Sequence, residues 1–376
     1  MLFKDIIGHA DIKQQLIKGV QCGRVSHAQL FTGPIGNGAL PLALAYSQYI
    51  NCDSPTDTDS CGECPSCRKF TKYIHPDLHF IFPHHSYKSG AYSQEKAEAL
   101  AKWRKALDEN PYFSEEHWYS ALEMENKQGI INKDDSADIL KALSLKSFEG
   151  KYKVMIIWLP ERMNDTCANK ILKILEEPAE KTLFIMISNN SEGIIKTITS
   201  RTQIINVPAP NRNDIEQGLI TLQLIDKGKA QEIARISNGN YFKALELAKT
   251  DDKNDYMLDH FRDLLRYCWG RKIIEIGEWV ETTSGKGRED IKAILNRGIE
   301  IFRENMITTV DCSDISFATA YEQEFINKFH VFVTPDNIGE AYQILNDANF
   351  DIGRNANVKI VLTDMAFKLA TLLFPR

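Results

Sequence analysis

A chain of 376 residues, 43% hydrophobic and 26% charged, has ordinary globular usage and exceeds one core, so two or three domains are expected. No apolar run approaches bilayer length, and Met-Leu-Phe-Lys-Asp at the start lacks the basic region and apolar core of a secretory signal, so a cytoplasmic location is expected. A net charge of −6 argues against a stand-alone DNA binder that depends on broad phosphate neutralisation; DNA contacts should be local or shared with partners.

Apolar residues at helical spacing from Ile12 to Val20 predict an amphipathic helix. His27 to Gly33 reads as a short strand running into Gly33-Pro-Ile-Gly-Asn-Gly38, followed by a helix through Tyr49. Strand, glycine-rich turn and helix are the context of a P-loop, where backbone N–H groups and a helix N-terminus cradle phosphates. Gly33, Gly36 and Gly38 fit that pattern, but the Lys-[Ser/Thr] that must follow is Ala39-Leu40, and then Pro41. The glycines therefore read as a tight strand-to-helix turn, with weak backbone binding of nucleotide left open.

Four of the eight cysteines follow as Cys52-x8-Cys61-x2-Cys64-x2-Cys67, while Cys22, Cys167, Cys268 and Cys312 are scattered. Two short turns sharing a cysteine, plus one distal cysteine, supply four thiolates to a tetrahedral Zn²⁺; with no open position, such a site is structural. Free surface cysteines and an iron–sulfur cluster are the competing readings.

After a predicted strand from Leu78 to Phe82, the histidines His75, His79, His84 and His85 match no ligand motif and are expected in turn and surface roles. Residues from about 85 to 129 are dense in aromatics: Tyr87, Tyr92, Trp103, Tyr112, Phe113, Trp118 and Tyr119, with one helix-like stretch from Gln94 to Leu107. Packing against the parent domain is the favoured reading over a partner surface. Ile130 to Phe148 reads as a strand end and a helix, with Asp134 and Asp135 near the helix N-terminus.

Val154 to Leu159 and Leu183 to Ser188 are short β-branched apolar runs flanking a helical segment, the signature of a βαβ unit in a buried parallel sheet. Functional groups on such sheets sit past the C-terminal strand ends, which singles out Trp158, Leu159, Ser188 to Asn190 and the loop to Arg201. Pro208-Ala-Pro210 ends the first domain. Asp214 to Lys249 reads as helical, 251–255 as a polar linker, and the remainder as a helical bundle with amphipathic stretches at Met257 to Trp269, Ile291 to Thr309, Ile338 to Leu345 and Val358 to Leu373.

Ile171-Leu-Lys-Ile-Leu-Glu-Glu-Pro178, with Thr199-Ser-Arg-Thr202, resembles the Leu-Leu-Lys-x-Leu-Glu-Glu-Pro and Ser-Arg-Cys elements of the clamp-loader branch of the AAA+ ATPases. The resemblance runs from about Phe3 to Leu247, the aromatic segment apart; the C-terminal part follows by order and length only. It implies a RecA-like α/β AAA+ domain (1–207, zinc module about 52–67, aromatic insertion about 85–129), a helical lid (208–250) and a C-terminal helical collar (256–376). Motor subunits of the branch carry Asp-Glu where this chain has Trp158-Leu159, and neither an indole nor an alkyl chain can hold magnesium or orient water. The lid motif Gly-x-x-x-Arg-Ala-Leu, whose arginine touches nucleotide, has Lys243 at that arginine. The family's Ser-Arg-Cys arginine projects into a neighbour's ATP site, which assigns Arg201 as a finger acting in trans.

Cys52, Cys61, Cys64 and Cys67 have the spacing that this family uses for zinc. Together these features resemble delta-prime-type subunits of the bacterial DNA polymerase III holoenzyme. They imply a chain that does not hydrolyse ATP, in which ATP binding is not expected beyond weak backbone contact, and that works with gamma/tau and delta subunits to load the sliding clamp onto primed DNA. Two readings stay open beside it: an ATP-hydrolysing gamma/tau-type motor, opposed by Ala39, Leu40, Trp158 and Leu159, and a zinc-dependent DNA-binding module, opposed by the acidic balance.

Overall fold

The structure is a computed structural model and describes all residues except 86–91, 125–127, 145–146, 224, 250–255, 311, 313–315, 319, 355 and 374–376. Tyr87 and the polar linker at 251–255 lie outside the described residues. The chain divides into two compact units, Met1–Glu246 and Leu247–Arg376. Among the described residues, no helix is long and apolar enough to cross a membrane.

In the first unit β1 (Ala28–Thr32), β2 (Leu78–Ile81), β3 (Lys153–Trp158), β4 (Thr182–Ser188) and β5 (Gln203–Asn206) form one sheet in the order β2-β3-β4-β1-β5. Every neighbouring pair is parallel, as expected of the α/β class. β3 and β4 are buried along their whole length, which is why they read as apolar runs and not as alternation. The register sets Thr32 beside Ser188 and Trp158 beside Ile187, so the C-terminal strand ends form one rim.

The helices of this unit are α1 (Ala10–Gln21), α2 (Ala39–Ile50), α3 (Pro65–Thr71), α4 (Tyr92–Glu109), α5 (Glu115–Ala121), α6 (Lys133–Ser144), α7 (Asp165–Glu176), α8 (Lys196–Thr199), α9 (Arg212–Gln223), α10 (Lys227–Ile236) and α11 (Tyr241–Lys249), the last running across the division between the units. Every residue of α2 is buried, so this helix has no polar face. Pro41 is its third residue, in the first turn, where the missing N–H has no intrahelical partner to lose. In α7, Asn164 caps the start by accepting the Cys167 N–H at 2.8 Å, Ile171 and Leu175 face the core, and Pro178 stops the helix.

The aromatic segment packs against the sheet, as favoured from the sequence. Trp103 of α4 stacks on Phe82 at 4.6 Å and meets Trp118 of α5 and Trp158 of β3 at 5.0 and 5.2 Å. The turn between α4 and α5 adds Phe113, edge-on to Trp158 at 5.3 Å. The histidines do not all follow expectation: His75 and His84 are each only 2% exposed, which corrects their surface assignment. His84 Nε2 lies 3.0 Å from both carboxylate oxygens of Asp135, and its Nδ1 lies 2.5 Å from the His85 carbonyl. A buried imidazole must have such partners, and this one is 51 residues away in the chain, beyond any local spacing rule.

The second unit holds α12 (Tyr256–Trp269), α13 (Ile273–Ser284), α14 (Arg288–Thr309), α15 (Ala320–Phe329), α16 (Pro335–Gly353) and α17 (Val358–Leu372). Phe261, Leu295, Phe302, Leu345 and Leu369 lie in one core. The four amphipathic stretches read from the sequence fall in α12, α14, α16 and α17; α13 and α15 complete the set among the described residues.

Candidate functional site

The glycine-rich turn is held on several sides by the chain's own groups. A Cβ on Gly33 would stand 2.0 Å from the Val207 carbonyl oxygen, and one on Gly36, whose φ is 75°, would stand 2.0 Å from Asn240 Oδ1. Only glycine fits either place. Asn37 donates through Nδ2 to the Val207 carbonyl at 2.6 Å and accepts the Ala39 N–H at 2.9 Å, while its own carbonyl lies 2.6 Å from His9 Nε2. Burial lowers the pKa of His9. The Tyr241 N–H, at the start of α11, donates to the Gly36 carbonyl at 3.1 Å.

Over this turn lies the α4–α5 connection. Tyr112 is 7% exposed, its ring meets Tyr241 edge-on at 4.8 Å, and its Oη accepts the Ile7 N–H at 3.2 Å. Its burial raises its pKa well above the usual phenol value. The cavity left between the turn, Tyr112, Phe113 and Trp158 measures about 20 Å³, enough for a single water. Gly36, Gly38, Ala39, Leu40 and Trp158 line it; Gly33, Leu159 and Lys243 are outside the lining.

Leu159, with φ of 57°, turns the chain from β3 into a short 3-10 turn and is itself buried. Lys243 lies in the first turn of α11, its N–H donating to Asn240 Oδ1 at 3.0 Å, so the residue that covers Gly36 also caps this helix. One carboxylate near the strand ends escaped the sequence reading. Glu161 Oε1 accepts the N–H groups of Asn189 and Asn190 at 3.1 and 3.2 Å, and burial raises its pKa against the effect of those bonds. The available signal was an acidic residue directly after Pro160, where β3 ends.

Arg201 stands apart from the cleft, just after α8. Its Nε and Nη2 both donate to Glu176 Oε1, at 2.9 and 2.5 Å, and its Nη1 donates to the Thr197 carbonyl at 3.0 Å. Its side chain is 35% exposed, so the guanidinium is oriented by its own chain yet reachable from outside.

The four clustered cysteines are brought together as the spacing required. All four sulfurs lie within 4.8 Å of one another, with Cys52 to Cys61 at 3.5 Å and Cys61 to Cys67 at 3.8 Å. A tetrahedral zinc with bonds of about 2.3 Å sets its sulfurs about 3.8 Å apart, so the donor set fits that ion. Backbone N–H groups point at the sulfurs: Cys61 at Cys52, Cys64 at Cys61 and Cys67 at Cys64, at 3.3, 3.4 and 3.4 Å. The N–H groups of Cys64 and Glu63 pull Cys61 down to about 6, whereas burial pushes Cys52 and Cys67 up. Cys64 also caps α3, which ties the cluster to the domain. The other cysteines are free thiols.

Comparison with known proteins places the chain. DNA polymerase III subunit delta' of Bacillus subtilis is 27% identical over 241 residues, 64% of this chain and 59% of that protein. DNA polymerase III subunit tau of Escherichia coli is 24% identical over 250 residues, 65% of this chain and 32% of that protein. The match thus spans less than two thirds of either relative. A gamma subunit-related protein of DNA polymerase III from Thermotoga maritima aligns in structure over 96% of this chain and 99% of its own, at 15% identity and a TM-score of 0.40. The sequence profile described as "DNA polymerase III, delta subunit" matches residues 8–211, more than half of the chain, and the chain belongs to that family.

Proposed function

We propose that this chain is a delta-prime-type subunit of a bacterial DNA polymerase III clamp loader, one that does not turn over ATP itself. The observation that carries the reading is the state of the glycine-rich cleft. Ala39 and Leu40 stand where lysine and a hydroxyl would grip phosphates and magnesium, Trp158 and Leu159 where carboxylates would hold the metal, and Tyr112 and Phe113 leave about 20 Å³. A triphosphate needs far more space, and the remaining groups could not polarise it. The similarity to a tau subunit keeps the motor reading in view, but those same four residues oppose it.

In this reading α9 to α11 act as the lid, the helices from 256 to 376 as the collar, and the division at 207/208 separates sheet from lid. The chain works in the cytoplasm beside gamma/tau and delta subunits to place the sliding clamp on primed DNA. Its zinc module is structural, and Arg201 reaches a neighbour's ATP, where a guanidinium stabilises charge building on the γ-phosphate. The purified chain should show no magnesium-dependent ATPase activity; turnover abolished by chelating magnesium would sink the proposal. A reconstituted complex carrying Arg201→Ala should assemble normally and hydrolyse ATP far more slowly, fingers measured in GTPases being worth roughly 10³–10⁵ in rate; an unchanged rate would refute the role.

A further inference from the structure

A second cavity, of about 270 Å³, opens beside β2, the edge strand next to β3 among the described residues, and is lined by residues of α4 and α6. Leu78, Phe80 and Leu100 give it apolar walls. Most of its charged groups already have partners. Asp138 accepts from Lys96 Nζ and Tyr92 Oη, and His84 faces Asp135 at 3.0 Å. Two groups differ. Arg104 donates through Nε to the Tyr73 carbonyl at 2.9 Å, but its two terminal nitrogens have no acceptor, and no carboxylate pairs with it, among the described residues. His79 has no hydrogen-bond partner on either ring nitrogen among the described residues.

Burial lowers the pKa of both groups, and for Arg104 no anion offsets that cost. Arg104 is half-buried and lines the cavity, and a guanidinium held there by one carbonyl, with no carboxylate paired to it among the described residues, is suited to receive an oxyanion. The volume is at the lower end for small-molecule sites, which limits the body attached to that anion. We infer that this cavity binds a compact organic anion, its carboxylate or phosphate taken by Arg104 and His79 and its apolar body lying against Leu78, Phe80 and Leu100. The site is formed by β2 and the insertion helix α4, away from the glycine-rich cleft, and does not depend on the clamp-loader reading.

The test is isothermal titration calorimetry on the full chain at low salt with phenyl phosphate and with benzoate. At least one should bind saturably at a single site. Arg104→Gln should weaken it by about tenfold or more, the loss expected for one charge-assisted contact. Ala142→Met, which fills the cavity from α6 while leaving Arg104 in place, should abolish binding with the melting temperature preserved. Absence of saturable binding by either probe, or equal affinity in the wild type and in both folded variants, would overturn the inference.

Discussion

Cε1 of Tyr112 stands 3.1 Å from the place where Gly38 would carry a Cβ. The α4–α5 connection therefore lies directly on the turn that would cradle phosphates, and the φ of 93° at Gly38 independently demands glycine. Gly38→Ala should cost roughly 1–3 kcal/mol from backbone strain and crowding against Tyr112. Tyr112→Ala should cost about 3–5 kcal/mol, as for other large buried rings. It should still yield no magnesium-dependent ATPase activity, because Ala39 and Leu40 supply no phosphate or metal ligand. Thermal melts and a phosphate-release assay on both variants check these outcomes; turnover in Tyr112→Ala would show that the ring alone had blocked a competent site.

The cysteine cluster is joined to the start of the chain. Asp59, within the module, accepts the N–H groups of Phe3 and Lys4 at 3.0 Å, one on each carboxylate oxygen. If zinc holds the four sulfurs, Cys64→Ser or strong chelation should loosen this junction as well as the module. Native mass spectrometry should find one zinc per wild-type chain, and amide exchange at Phe3 and Lys4 should accelerate in the variant. Unchanged exchange in a demonstrably metal-free chain would separate the junction from the metal.

The sheet was legible because β3 and β4 are covered on both faces, and two-sided burial writes unbroken apolar runs into the sequence. The cysteine cluster was legible because its ligands are local. The closure of the cleft was not: Tyr112 meets Ile7 across 105 residues, and an aromatic-rich segment looks alike whether it fills a cleft or covers a sheet. Glu161 was missed for a related reason, since its partners are backbone N–H groups at 189 and 190, which carry no side-chain signature. The pairing of Arg201 with Glu176 lay inside the two motifs that gave the resemblance, yet only the fold brings them together.

Acid should destabilise the first unit through imidazoles that are buried (His75) or half-buried (His9 and His79). His9, His75 and His79 all have pKa values lowered by burial, so the unfolded chain binds more protons than the folded one below the ordinary histidine value of about 6.5. Their stabilisation is complete above that value and is lost as pH falls through it, levelling off only below the folded pKa values. Glu161 has the opposite sign: its raised pKa favours the folded state as pH falls towards the carboxylate range, which tempers the loss there. The melting temperature should fall between about pH 7 and pH 5. His9→Gln, which keeps a donor for the Asn37 carbonyl, should flatten that dependence; an unaltered slope would remove His9 from the account.

The Arg201–Glu176 pair yields a prediction in which stability and activity part company. Both groups are substantially exposed, 35% and 49%, so the pair should contribute only about 0–1 kcal/mol to folding. Its consequence, if Arg201 serves a neighbouring ATP site, lies in orientation: with both Nε and Nη2 on one oxygen of Glu176, the planar fork is fixed in direction before any partner arrives. Glu176→Gln keeps an acceptor but removes the charge, whereas Glu176→Ala removes both. In the reconstituted complex the alanine variant should slow ATP hydrolysis more than the glutamine variant, and neither should add to the defect of Arg201→Ala, since both act through that side chain. Additive losses in the double variant would mean that Glu176 affects hydrolysis by another route.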